Sequence, residues 1–201
     1  MNTKTQDTRQ HILEVGYELV VNKGFTGVGL SELLRSADVP KGSFYHYFKS
    51  KEQFGEALLV AYFDHYQSRL DTLFIDNEES RYEQLMRYWH YWTEYNSQRC
   101  NASRCLVVKL AGEVSDLSES MRQALLKGTR RLIDRLARCI EQGIARGEVQ
   151  VNDSQSTAEL LYNLWIGASL LNKIRQDDVS LQQALRSTEQ ILQGRTPDSF
   201  T

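Results

Sequence analysis

The chain has 201 residues, enough for one substantial core or for a small unit joined to a larger one. It is 41% hydrophobic and 25% charged, as in a soluble globular protein; no apolar run approaches the length of a membrane span, and a formal net charge of −2 does not by itself announce binding to polyanions. Three cysteines, an odd number, and the polar start MNTKTQDTRQ speak for free thiols in a cytoplasmic protein rather than for a secreted disulfide framework.

Prolines occur only at Pro40 and Pro197 and β-branched runs are scarce, so helical periodicity dominates and the fold class expected is all-α. The first helix should run from about Asp7 to Asn22, burying Ile12, Val15, Gly16 and Leu19, with Gly24 as its left-handed terminator. A short helix, SELLRSA, turns Leu33 and Leu34 inward. Asp38, Val39 and Pro40 then lead into VPKGSFYHYFKSK, which carries Lys41, His46, Lys49 and Lys51 and no acid. Pro40 suits a first helical position, since its φ is fixed and its missing N–H is not needed there. From there to Phe48 a helix places Phe44 and Phe48 on one face and leaves Lys41, Ser43, Tyr45 and His46 largely off it. Two readings fit: an ordinary capped surface helix, or one whose basic, hydroxyl-rich face meets phosphates and base edges. Two short helices joined by a tight turn after a longer one make a helix-turn-helix.

From Lys51 a longer helix should reach Thr72, capped by Ser50 with Gln53 at the capping-box position. IDNEES is the first linker. Residues 80–97 form an aromatic helix and residues 103–114 a short apolar one. Residues 118–145 line up Met121, Leu125, Gly128, Leu132, Leu136, Cys139 and Gly143 on one stripe, and the arginines beside it read as a solvated face. Residues 155–175 are apolar on more than one side, as in a helix buried in a core or an interface, and a last amphipathic helix follows.

GFTGVGLSELLRSADVPKGSFYHYFKSKEQF resembles the DNA-binding segment of TetR-family transcriptional regulators. Gly24–Phe25, Val39, Gly42, Tyr45, Phe48 and Lys51–Glu52 stand where the family pattern has them. Leu34 and Asp38 replace its usual Ala and Gly, and Tyr47 stands where His is common. The resemblance implies a helix-turn-helix domain over residues 1–50 and a helical regulatory and dimerisation domain over 51–195; within the closing stretch GRTPDSFT, residues 196–201 read as a disordered tail. It further implies double-stranded operator DNA as partner and a homodimer formed through residues 155–193. Tyr45, Tyr47 and Lys51 would meet the DNA backbone, and Lys41, Ser43 and His46 would face base edges or phosphates. Gly42 would allow close approach, and Gly29 would offer a bare N–H to a phosphate.

CLVVKLAGEVSDLSESMRQAL is similar to family members that sense reactive electrophiles or oxidants. Cys105 is the candidate thiol: with Ser103 as N-cap it would sit in the first turn of a helix, whose N-terminus favours a thiolate. Arg104 and Lys109 would add positive field, Cys100 would be a resolving partner or an exposed thiol, and Lys173 a helper or a solvated lysine. Cys139, on an apolar stripe, reads as an inert core thiol. The alternative effector is a noncovalent ligand in a pocket lined by Trp89, Trp92, Tyr95 and Trp165, unless these are core packing. No cofactor or metal is expected, because His11, His46, His65 and His90 lie far apart and no Cys/His pair has zinc spacing. An enzyme is not expected either: no phosphate loop or nucleophile motif is present, and Cys105 has no base nearby in sequence.

Overall fold

The computed structural model describes residues 3–96 and 99–195, with side chains for 7–94, 101–102 and 105–195. Among the described residues there are nine α-helices: α1 (Thr3–Lys23), α2 (Leu30–Ser36), α3 (Lys41–Tyr47), α4 (Lys51–Leu73), α5 (Arg81–Thr93), α6 (Leu106–Val114), α7 (Glu119–Ala145), α8 (Ser154–Arg175) and α9 (Val179–Leu192). The exceptions to helix are a two-residue antiparallel pair, β1 (Tyr95–Asn96) with β2 (Arg99–Cys100), in which Tyr95 faces Cys100, and a 3₁₀ turn, Asn101–Arg104. The chain divides into two compact units, residues 1–65 with 109–128 and residues 66–108 with 129–201, so the division falls inside α4, α6 and α7.

In the first unit α2 and α3 pack on α1. Ile12, Leu13, Val20 and Val21 are buried on α1, with Val15 and Leu19 only half-buried, a slight rotation from the expected face. Gly16 is there for close approach: an added methyl would overlap the ring of Phe54 on α4. That ring completes a triad with Phe44 and Phe48, at centroid separations of 5.8 and 5.4 Å, which pins α3 to α4. Ser50 caps α4 by accepting from the Gln53 N–H at 3.1 Å. The return bond of the expected capping box goes elsewhere, because Gln53 Oε1 accepts from the Lys49 N–H at 2.6 Å.

In the second unit α8 packs on α9 and α9 on α5. Ser80 and Glu83 close a reciprocal capping box on α5. This helix stops at Thr93, short of the expected residue 97. Its end is satisfied from outside, since the Asn101 side chain donates to the Tyr91 carbonyl at 3.0 Å and the Asn101 N–H to the Glu94 carbonyl at 2.9 Å. Arg81 is 2% exposed and holds this corner, donating to the Ile75 carbonyl and to Gln84 at 2.7 Å and to Asp76 at 3.0 Å. The expected stripe of α7 is buried at all seven positions. Leu161, Trp165 and Ala168 of α8 are buried, whereas Leu160, Leu170, Leu171 and Ile174 are exposed apolar residues on the same helix. The segment 196–201, expected to be a tail, lies outside the described residues.

Candidate functional site

The helix-turn-helix is built by short-range chemistry. Gly29 is the N-cap of α2, in extended conformation and without a side chain to cap it. After α2 the chain reverses at Asp38, whose φ of 50° explains why the family pattern has glycine there. His11 of α1 holds this corner, its Nε2 donating to the Ala37 carbonyl at 3.0 Å. Pro40 is the N-cap of α3 rather than its first residue, at φ −68° and ψ 151°. Its ring rules out a helical ψ for Val39 and leaves the first full turn to Lys41, Gly42 and Ser43.

The outer face of α3 is open. Phe44 and Phe48 are buried, while Lys41, Gly42, Tyr45 and His46 are exposed and Ser43 and Tyr47 half-exposed. Lys41 Nζ lies 5.8 Å from the centroid of the Tyr45 ring one turn on, and His46 stands edge-on to Tyr47 at 4.9 Å. A Cβ added at Gly29 or at Gly42 would meet nothing within 4 Å, so neither glycine is required by packing within the protein. Lys51, the first residue of α4, holds its amine 4.6 Å from the Phe25 ring centroid.

Cys105 is buried, at 7% exposure. It is the residue immediately before α6, not part of its first turn, because residues 101–104 are taken by the 3₁₀ turn and the Cys105 N–H closes that turn on the Ala102 carbonyl at 3.2 Å. The thiol still stands at the N-terminal end of α6, where unpaired N–H groups favour negative charge. Three phenols lie within electrostatic reach of it: half-buried Tyr66 on α4, and buried Tyr88 on α5 and Tyr162 on α8. Desolvation first, then Tyr88 and the nearby Cys105 charge, push Tyr66 well above the ordinary phenol value, and burial with the Cys105 charge does the same to Tyr162. Tyr66 and Tyr88 share a hydrogen bond of 2.9 Å between their hydroxyls. Sequence reasoning missed these phenols, since they come from three helices and carry no local signal.

The other thiol-site candidates are dispersed. The side chains of Cys100 and Arg104 lie outside the described ones, as does that of Tyr95. Lys173 is exposed near the end of α8. Lys109 donates its amine to the Asn22 carbonyl at 3.4 Å. Cys139 is fully buried, and burial pushes its thiol up to about 12 despite the arginines nearby. Trp89, Trp92 and Trp165 are brought together, but against one another. Trp89 stacks on Trp165 at 5.0 Å and 11°, Trp92 sits 5.8 Å from both, and Trp165 Nε1 donates to Thr188 at 2.9 Å. Among the described residues no His, Cys, Asp or Glu side chains gather into a metal-ligating group, and no helix is long and apolar enough to cross a membrane.

Residues 12–58 match the family model described as bacterial regulatory proteins, tetR family, and residues 82–188 match that of the tetracyclin repressor-like C-terminal domain. The HTH-type transcriptional repressor NemR of Escherichia coli (strain K12) is 42% identical over 194 residues, which cover 96% of this chain and 98% of that protein. The transcriptional regulator AcuR of Cereibacter sphaeroides is 33% identical over 166 residues, 82% of this chain and 76% of the relative. The crystal structure of E. coli NemR in its reduced form superposes with a TM-score of 0.86 at 41% identity, covering 92% of this chain and 97% of that one. With the exposed α3 face, the helix-turn-helix corner and these matches together, the chain belongs to the TetR family of transcriptional regulators, as a repressor similar to NemR.

Proposed function

We propose that the protein represses transcription as a homodimer on a near-palindromic operator and is released when an electrophile modifies Cys105. The observation that carries the DNA half is the face of α3: Lys41, Gly42, Ser43, Tyr45 and His46 project from a helix whose two phenylalanines are spent on anchoring it. Tyr47 and Lys51 flank that face, and the exposed N-cap Gly29 offers a second helix start to a phosphate. In a symmetric dimer two such helices stand about one DNA turn apart and read two half-sites. The apolar residues Leu160, Leu170, Leu171 and Ile174 support α8 as the dimer helix, and Gly167 between them has room on its outer side for a close neighbour.

The thiol half rests on the place of Cys105 at the head of α6. As thiolate, its sulfur adds to the β-carbon of an α,β-unsaturated carbonyl compound. A carbon–sulfur bond forms, the double bond shifts to an enolate, and a proton at the α-carbon completes the adduct with no leaving group. Tyr66 and Tyr88, kept neutral by burial, retain protons to donate toward developing negative charge. Cys105 is buried at 7% exposure, so the proposed adduct makes α6 repack and acts on the helix-turn-helix through that helix.

A gel-shift titration on the protein's own upstream DNA, with and without one equivalent of N-ethylmaleimide per thiol, tests the reading. Specific binding lost on treatment but retained by treated Cys105→Ser supports it. Loss that Cys105→Ser shares removes Cys105 from the mechanism, and failure to bind any operator removes the repressor reading.

A further inference from the structure

Glu113, in the last turn of α6, holds the turn that leaves α1. Its Oε2 accepts from the Phe25 N–H at 3.1 Å, and its Oε1 accepts both the N–H and the hydroxyl of Thr26. The donors converge because Gly24, at φ +80°, turns the chain so that consecutive N–H groups point to one place, a backbone nest suited to an anion. The missing side chain of Gly24 is part of the fit, since a Cβ there would lie 2.8 Å from Glu113 Oε2. One turn earlier on the same face of α6, Lys109 Nζ donates to the Asn22 carbonyl at 3.4 Å, at the C-terminal end of α1. Cation meets the carbonyl end of the helix and anion meets the N–H nest, so the two signs cannot be exchanged. Burial would raise the Glu113 carboxyl, but the bonds from Thr26 and Phe25 and the Lys109 charge outweigh it and hold the group below its ordinary value.

We propose that Lys109 and Glu113 are the grip by which α6 sets the α1–α2 turn, and with it the affinity of the helix-turn-helix for operator DNA. They are positioning residues: neither belongs to the α3 face, and both act on the segment that delivers Gly29 and α2. The division of the chain between Val108 and Lys109 gives the grip its meaning, because Cys105 belongs to one unit and Lys109 and Glu113 to the other. One continuous helix, α6, therefore begins at the candidate thiol and ends holding the DNA-binding unit. The inference rests on the repressor reading, and its second half on the Cys105 reading as well.

The test compares full-length wild type, Glu113→Gln and Thr26→Val by fluorescence anisotropy on the upstream DNA at fixed salt, with thermal melts and amide exchange alongside. Glutamine keeps the shape and one acceptor oxygen but loses the charge and the second acceptor. The expected result is operator affinity weakened by about fivefold or more in Glu113→Gln, within the usual span of coupling between sites. Thr26→Val weakens it less, the double variant falls short of the product of the two, and the amides of Phe25 and Thr26 exchange faster. Glu113→Gln within about twofold of wild type, with those amides exchanging faster, would overturn the proposal, because the grip would then be structural only. Should Glu113→Gln fail to fold, Thr26→Val decides alone: operator affinity weakened by more than about twofold supports the grip, and affinity within about twofold of wild type overturns it. After N-ethylmaleimide, the ratio of treated to untreated Kd should be smaller in Glu113→Gln than in wild type. A wild type that keeps its DNA when alkylated refutes the Cys105 reading alone, and the affinities of the untreated proteins still decide the grip.

Discussion

Gly42→Ala separates what the fold needs from what DNA binding needs. Gly42 is the second residue of α3, does not sit at positive φ, and would place an added Cβ within 4 Å of nothing. The protein therefore has room for the methyl, and the substitution removes freedom from the unfolded chain, worth about 0.4–1 kcal/mol in favour of the folded state. For a chain of this size that corresponds to a rise in Tm of roughly 1–4 °C. On the DNA side the same methyl stands on the open face between Lys41 and Ser43, where the start of α3 is proposed to approach the phosphate backbone. Keeping that backbone away lengthens several hydrogen bonds at once, and a loss of about 1.4 kcal/mol is already tenfold in Kd. Differential scanning fluorimetry and anisotropy on one preparation measure both effects. Opposite signs, a higher Tm with weaker binding, are expected. A lower Tm would show that the fold requires the glycine, and unchanged binding would refute the close approach.

Gly29→Ser supplies the side-chain cap that α2 lacks and should raise stability by about a few tenths of a kcal/mol in denaturant titration. Arg81→Met leaves the buried Gln84 amide oxygen without its donor, while the Ile75 carbonyl keeps the Gln84 amide, and should lower stability by about 1–3 kcal/mol, read in the same assay. Cys139, with its thiol near 12, is thiolate in only about one molecule in ten thousand at pH 8. Mass spectrometry after maleimide treatment of folded protein should find it unlabelled, and Cys139→Ser should respond as wild type does. Asp71 is held below the ordinary carboxylate value of 3.8, chiefly by the Arg135 guanidinium. Its contribution to stability is present above that value and lost as pH falls through the lower folded one, so Asp71→Asn should flatten the acid limb of a stability–pH curve.

Where periodicity and caps decide structure, the sequence was legible. The Phe44–Phe48 spacing foretold the anchored face of α3, and the seven-residue stripe of α7 is buried throughout. Leu160, Leu171 and Ile174 opposite Leu161, Trp165 and Ala168 give α8 the two apolar sides its composition indicated. What failed were features set by distant partners. The end of α5 is decided by Asn101, and the start of α6 by a 3₁₀ turn that packs on α5 and α8. The indoles of Trp89, Trp92 and Trp165 were equally readable as a pocket or as a core, because only their mutual stacking distinguishes the two. The bonds of Glu113 to Phe25 and Thr26 cross 88 and 87 residues and leave no trace in local pattern.

The central claim is that a single adduct at Cys105 releases the operator. The direct measurement is the operator Kd of protein in which intact-mass and peptide spectra place one N-ethylmaleimide on Cys105 and none elsewhere. The account predicts affinity weakened by about tenfold or more, equal to 1.4 kcal/mol, with the dimer and its melting cooperativity preserved. A fully alkylated Cys105 with operator affinity intact would contradict it.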